Sequence, residues 1–127
     1  MSATEPSAAP EDALTELRVR LADFAARRDW ERFHTPKNLA MALIAEAAEL
    51  VEHFQWLTES QSQQLEPDNL AKVRLELADI LIYLIRIADK LGVDLATAVR
   101  DKIALNELRY PAEQVRGDAR RVEDYNT

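Results

Sequence analysis

Two stretches of this sequence set paired carboxylates inside otherwise apolar segments. Ala42-Leu43-Ile44-Ala45-Glu46-Ala47-Ala48-Glu49-Leu50-Val51 carries Glu46 and Glu49, and Leu75-Glu76-Leu77-Ala78-Asp79-Ile80-Leu81-Ile82-Tyr83 carries Glu76 and Asp79. On a helix, a spacing of three puts the two acids of each pair about 60° apart, so both face nearly one way. Like charges so placed cost a helix roughly 0.2–0.5 kcal/mol in water, and more where desolvated, so something should compensate them. If two such helices pack stripe to stripe, four oxygen-bearing side chains converge, a ligand set for a hard divalent cation, with Mg²⁺ the natural candidate. The plain alternative is a solvated face on each helix. Asn38, Glu52 and His53 fall beside Glu46 and Glu49 on the wheel, and Lys72, Arg86 and Lys90 fall beside Glu76 and Asp79. Repetition of one spacing on two consecutive long helices favours the metal. A carboxylate-bridged iron centre would want Glu-x-x-His on two helices, but His53 stands four after Glu49 without a second copy, and His34 lies in a loop.

Other chemistries are excluded by what is absent. There is no cysteine, hence no thiol nucleophile, thiolate metal site or disulfide, which fits a reducing compartment. The two glycines, Gly92 and Gly117, stand isolated, so no phosphate-cradling loop is present, and there is no G-x-S-x-G. What remains is metal-assisted attack of water on a phosphate, with a carboxylate as base. Lys102, Asn106 and Arg109 fall within about 60° of one another on a helix, a face able to bind phosphate oxygens or to form an ordinary salt-bridged stripe. Trp30, Phe33, His34 and Trp56 sit near helix ends, placed either to stack on a nucleobase or to staple helices together. Tyr83 shares the stripe of Glu76 and Asp79.

The elements that must position these residues are all helical. Leu14, Leu17, Leu21, Phe24 and Ala25 recur at helical spacing, predicting a first helix over 12–28 with Asp12 as its N-cap. After an aromatic connection, Thr35-Pro36 opens a second helix over 36–57. A polar stretch over 58–67 ends in Pro67-Asp68, read as a stop and a new cap for a third helix over 69–91, closed by Gly92. Asp94 caps a fourth over 95–110, stopped by Pro111. The expectation is an all-α, four-helix bundle in one domain, 12–111, with a disordered leader over 1–11 and a mobile charged tail over 112–127. The formal charge of −7 argues against a nucleic-acid polymer as partner. No apolar run has the length of a membrane span and no signal peptide is evident, so no membrane partner and a cytoplasmic location are expected.

Taken in order, several of these segments resemble one family. They are Phe24-Ala25-Ala26-Arg27-Arg28-Asp29-Trp30-Glu31-Arg32-Phe33-His34, Pro36-Lys37-Asn38-Leu39, Glu46-Ala47-Ala48-Glu49-Leu50, Phe54-Gln55-Trp56, Glu76-Leu77-Ala78-Asp79-Ile80-Leu81-Ile82-Tyr83-Leu84 and Arg109-Tyr110-Pro111. Over residues 14–111 the chain resembles the MazG-like, all-α nucleoside triphosphate pyrophosphohydrolases, and within them the dCTP pyrophosphatase group. The resemblance implies Mg²⁺-dependent hydrolysis of a (deoxy)nucleoside triphosphate, dCTP or modified dCTP, to monophosphate and pyrophosphate, a task in nucleotide-pool sanitation. It further implies that Glu46, Glu49, Glu76 and Asp79 hold the metal, with Glu46 or Glu49 as base. Lys102 and Asn106, on the face shared with Arg109, would meet phosphate or sugar. Trp30, Trp56 and Tyr83 would line a nucleoside pocket with His34 and Asn38 nearby, in a homotetramer built as a dimer of dimers. The chain departs from the animal members at Leu21, where they place a histidine in the first helix. That departure keeps dUTP or a broader substrate set open. A reading of a different class is a non-catalytic helical adaptor with solvated acidic stripes.

Overall fold

The computed structural model describes residues 10–120, and among them there are helices and turns but no strand. The helices are α1 (Pro10–Arg27), α2 (Pro36–Glu52), α3 (Glu59–Ser62), α4 (Pro67–Leu91), α5 (Leu95–Arg109) and α6 (Ala112–Val115), with a 3-10 turn at Glu31–Phe33. The all-α class is as expected. The count is not: the four long helices α1, α2, α4 and α5 answer to the expected four, and the single-turn α3 and α6 are additional. The expected leader lies, through residue 9, outside the described residues, as does the expected tail from residue 121.

Boundaries moved for identifiable reasons. The helix α1 begins at Pro10 rather than at an Asp12 cap, since proline fits a first turn where its missing N–H has no intrahelical partner. The helix α2 is capped as read, with Thr35 Oγ1 accepting from the Asn38 N–H at 3.2 Å and Pro36 in the first turn. It ends at Glu52 instead of reaching Leu57. There the hydrogen bonds tighten, His53 N–H to Leu50 O and Phe54 N–H to Val51 O, and the chain turns although the apolar period continues. That turn delivers Thr58 to a reciprocal capping box with Gln61, which starts α3 inside the stretch expected to be a plain connection. The helix α4 takes Pro67 into its first turn after an extended Glu66, so Asp68 lies within the helix and does not cap it. Gly92, at φ 68°, ends α4, and Asp94 Oδ1 accepts from the Thr97 N–H at 3.0 Å to begin α5.

Two compact units divide the chain, Met1–Val93 and Asp94–Thr127. In the first, α4 is the central element, with α2 and α1 both packed on it. Its buried apolar residues are Ala25, Leu39, Val73, Ile85 and Ala88. Leu39, 2 % exposed, anchors α2, and its burial stabilises by roughly 1.5–3 kcal/mol. Much apolar surface is left out of this core, including Met41, Ile44, Val51, Leu75 and Leu77 on α2 and α4. In the second unit, α5 has no buried residue. Among the described residues no helix is long and apolar enough to cross a membrane.

Candidate functional site

Packing of α2 on α4 turns the two acidic stripes toward each other. One carboxylate oxygen from each of Glu46, Glu49 and Glu76 lies within 4.8 Å of the others. Glu46 is half-buried and its Oε2 is sealed from solvent without a hydrogen-bond partner among the described residues. Its carboxyl is pushed from 4.5 up to about 7, first by sharing a proton with Glu49, then by burial, then by the charges of Glu49, Asp79 and Glu76. An acid held near neutrality by its neighbours, with one oxygen unmatched, fits a site completed by a positive charge. All the donors in the cluster are carboxylate oxygens, the chemistry of a hard divalent cation. The half-buried His53, with Nε2 at 4.0 Å from Glu76 Oε2, flanks the cluster. The sequence reading had placed His53 on the α2 face but not against α4.

Asp79 is not one of the three clustered carboxylates. Its charge acts on both Glu46 and Tyr83, and its side chain lines an adjoining pocket of about 190 Å³. The pocket walls bring together Trp30, His34, Tyr83 and Arg86 with the apolar Leu21, Phe24 and Ile82. Burial, followed by the charges of Glu46 and Asp79, raises the Tyr83 phenol above its ordinary value.

Trp30 reaches this wall through the way α1 ends. The Trp30 N–H donates to Ala25 O at 2.9 Å and the Asp29 N–H to Ala26 O at 3.1 Å, while Asp29 takes the left-handed conformation at φ 56°. This is the Schellman arrangement with aspartate where glycine is usual. Its accompanying apolar contact is Trp30 edge-on to Phe24, with centroids 5.8 Å apart, and His34 follows at 6.2 Å from Trp30.

Behind the pocket lies a charge network that sequence reasoning missed. Arg86 is 2 % exposed. It donates from Nη2 to Glu31 at 3.1 Å, from Nη1 to Asp89 at 3.3 Å and from Nε to His34 Nδ1 at 3.3 Å. Lys90 also bonds Glu31, and Arg18 lies 3.6 Å from Asp89. Lys90 first, and Arg86 after it, hold the Glu31 carboxyl below its usual value. Burial, then the charge of Arg86, lowers His34. The sequence did carry a signal, a lone cation within Leu84-Ile85-Arg86-Ile87-Ala88, but on the wheel it read as an exposed neighbour of Asp79.

Neither Asn38 nor Trp56 lines this pocket. Asn38 Nδ2 donates to Phe33 O at 3.0 Å, bracing the connection between α1 and α2. Trp56 is 85 % exposed, and Phe33 is exposed beneath the Arg32 guanidinium. Lys102, Asn106 and Arg109 lie on α5 in the second unit, where Asn106 lines a shallow depression with Ile103, Glu107 and Tyr110, and Arg109 lies 5.7 Å from the Tyr110 ring centroid.

Residues 42–124 match the MazG-like family. Human dCTP pyrophosphatase 1 is 44% identical over 117 residues, covering 91% of this chain and 69% of the human protein. The Bos taurus dCTP pyrophosphatase 1 is 44% identical over 126 residues, covering 97% of this chain and 75% of its own. Among solved structures, a pyrophosphatase from Archaeoglobus fulgidus superposes with a TM-score of 0.77 at 33% identity, over 87% of this chain and 99% of that one. The converging carboxylates of α2 and α4 therefore sit in a chain that belongs to the MazG-like family.

Proposed function

We propose that this protein hydrolyses dCTP or a modified dCTP to the monophosphate and pyrophosphate, using Mg²⁺. The observation that carries the reading is the unmatched Glu46 Oε2 within a three-carboxylate cluster, beside an aromatic pocket, in a chain 44% identical to human dCTP pyrophosphatase 1. Glu46, Glu49 and Glu76 would hold the cation, joined by Asp79 from the pocket side. When bound, Mg²⁺ lowers the pKa of water and offsets charge on phosphate oxygens. Glu46 or Glu49 takes the proton of a water aligned for attack near the α-phosphate, and pyrophosphate leaves. Trp30 and Tyr83 clasp the base, with His34 at its edge. Lys102, Asn106 and Arg109 on α5 carry the two cations and the amide suited to a phosphate or sugar. A cytoplasmic location and a role in sanitising the nucleotide pool go with that substrate.

The proposal includes a homotetramer assembled as a dimer of dimers. Its support is the apolar surface that one chain leaves uncovered, with Ile44 at 68 % exposure and Leu75 at 60 %. In such an assembly Trp56 and Asn38, which do not line this chain's own pocket, would serve a site shared between subunits. Light scattering coupled to size exclusion tests it, and a monomer at micromolar concentration would remove it.

Leu21 gives the pocket an apolar wall, which suits a pyrimidine bearing a 5-methyl group. Pyrophosphate release from dCTP, 5-methyl-dCTP, dUTP, dTTP, dATP and dGTP, with Mg²⁺ and with chelator, tests the whole reading. Release confined to cytosine nucleotides with Mg²⁺ supports it. Release from many bases keeps the reaction and discards the base preference, and no release from any nucleotide rejects the reaction.

A further inference from the structure

We infer that Arg86 is a positioning residue that fixes His34 as an Nε2–H hydrogen-bond donor in the aromatic pocket, so that the pocket reads an acceptor atom on the edge of its nucleobase. The inference rests on the proposed function for the identity of the ligand, but its first test does not. Arginine has donors only, so the 3.3 Å contact from Arg86 Nε to His34 Nδ1 requires a lone pair on Nδ1. A neutral ring then carries its proton on Nε2. An imidazolium would set an N–H against an N–H and place a second positive charge beside Arg86.

The arginine is held for this task from several sides. Glu31 and Asp89 take its two terminal nitrogens, Lys90 shares Glu31, and Arg18 stands near Asp89. That leaves Nε as the donor aimed at the ring. A buried guanidinium paired by two carboxylates has little freedom to release the imidazole or to let it flip. Burial and the charge of Arg86 also keep the ring neutral, as its lowered pKa indicates. His34 lines the pocket, and among the described residues nothing accepts from its Nε2. The ligand group it suits is a carbonyl oxygen or bare ring nitrogen, as on the edge of a pyrimidine, and an exocyclic amine there would oppose donor to donor.

The first test needs no substrate. The chain has two histidines, so long-range proton–nitrogen spectra of the ¹⁵N-labelled protein near pH 7, with His53→Gln to assign them, resolve the His34 ring. The expected result is a protonated Nε2 and a bare Nδ1; a protonated Nδ1 or an imidazolium overturns the inference. The second test is kinetic. His34→Phe should raise KM for dCTP about tenfold, with kcat falling less than KM rises, and His34→Gln, which restores an N–H donor, should recover part of the loss. A Phe variant with unchanged KM, or a Gln variant no better than Phe, overturns the donor role. Failure of every nucleotide to turn over, with the Nε2–H tautomer intact, would instead count against the proposed function.

Discussion

Two clusters of charge lie along one helix, and they are treated oppositely. Toward the middle of α4, Glu76 meets Glu46 and Glu49 from α2, three acids flanked by His53. Nearly three turns later Arg86 meets Glu31 and Asp89, with Lys90 and Arg18 completing the balance. In the second cluster each acid has a cationic partner; in the first, a carboxyl is driven to about 7 and an oxygen is stranded. Burying charge is costly unless it is paired, so the balanced cluster is self-sufficient structure and the unbalanced one is unfinished without a ligand. The same helix thus shows which charges serve the fold and which are reserved for chemistry.

The sharpest way to break that contrast is to remove one charge from each cluster. Glu49→Gln should lower turnover about a hundred- to ten-thousandfold while the melting temperature in chelator stays or rises, because a repelling charge is gone. A variant that keeps near wild-type turnover would take Glu49 out of the mechanism. Arg86→Met is the opposite experiment. It leaves Glu31 with Lys90 and Asp89 with Arg18, so the cost is that of the lost charge-assisted hydrogen bonds, about 1.5–3 kcal/mol in denaturant unfolding, and a loss well below this would mean the network is not structural.

Metal binding acts on the unbalanced cluster, whereas pH acts on both. Mg²⁺ at a hundred times its Kd should stabilise the protein by about 2.7 kcal/mol, reversed by chelator. In chelator, the raised Glu46 carboxyl contributes stability that is fully present below 4.5 and is lost as pH rises through about 7. Glu31, held low, acts in the other window, its contribution being lost only as pH falls below 4.5. His34, held low, acts in the same range with the opposite sign, its contribution growing as pH rises toward 6.5. The melting temperature without Mg²⁺ should therefore fall more steeply between pH 5 and 7.5 in the wild type than in Glu46→Gln, and equal slopes would contradict the assignment of Glu46. The smallest effect is expected at Asp29, outside both clusters. Asp29→Gly should gain no more than about 1 kcal/mol in thermal melting by relieving the left-handed backbone, whereas Asp29→Val should destabilise.

The two left-handed helix ends show how legibility varies. Gly92 announces its own role, because glycine after an apolar period is the usual stop. Asp29 performs the same turn unannounced, since aspartate reaches that conformation only where the surroundings hold it, here with Trp30 packed on Phe24. Likewise Thr35-Pro36 and Asp94 are caps that local chemistry specifies, while the end of α2 at Glu52 runs against a period that still reads helical.

By itself the sequence determined the helical class, the long helices, the main caps and the pairing of carboxylates on two faces, because spacing along a helix is a local property. The tertiary structure decided which charges those faces would meet. Wheel position placed Arg86 among the solvated residues, and only the packing of α4 under the connection after α1 buries it against Glu31 and His34. The same packing set Asp79 on the pocket wall and left Glu46, Glu49 and Glu76 as the close cluster. Burial and partner identity arise between segments distant in the chain, and no periodicity within one segment encodes them.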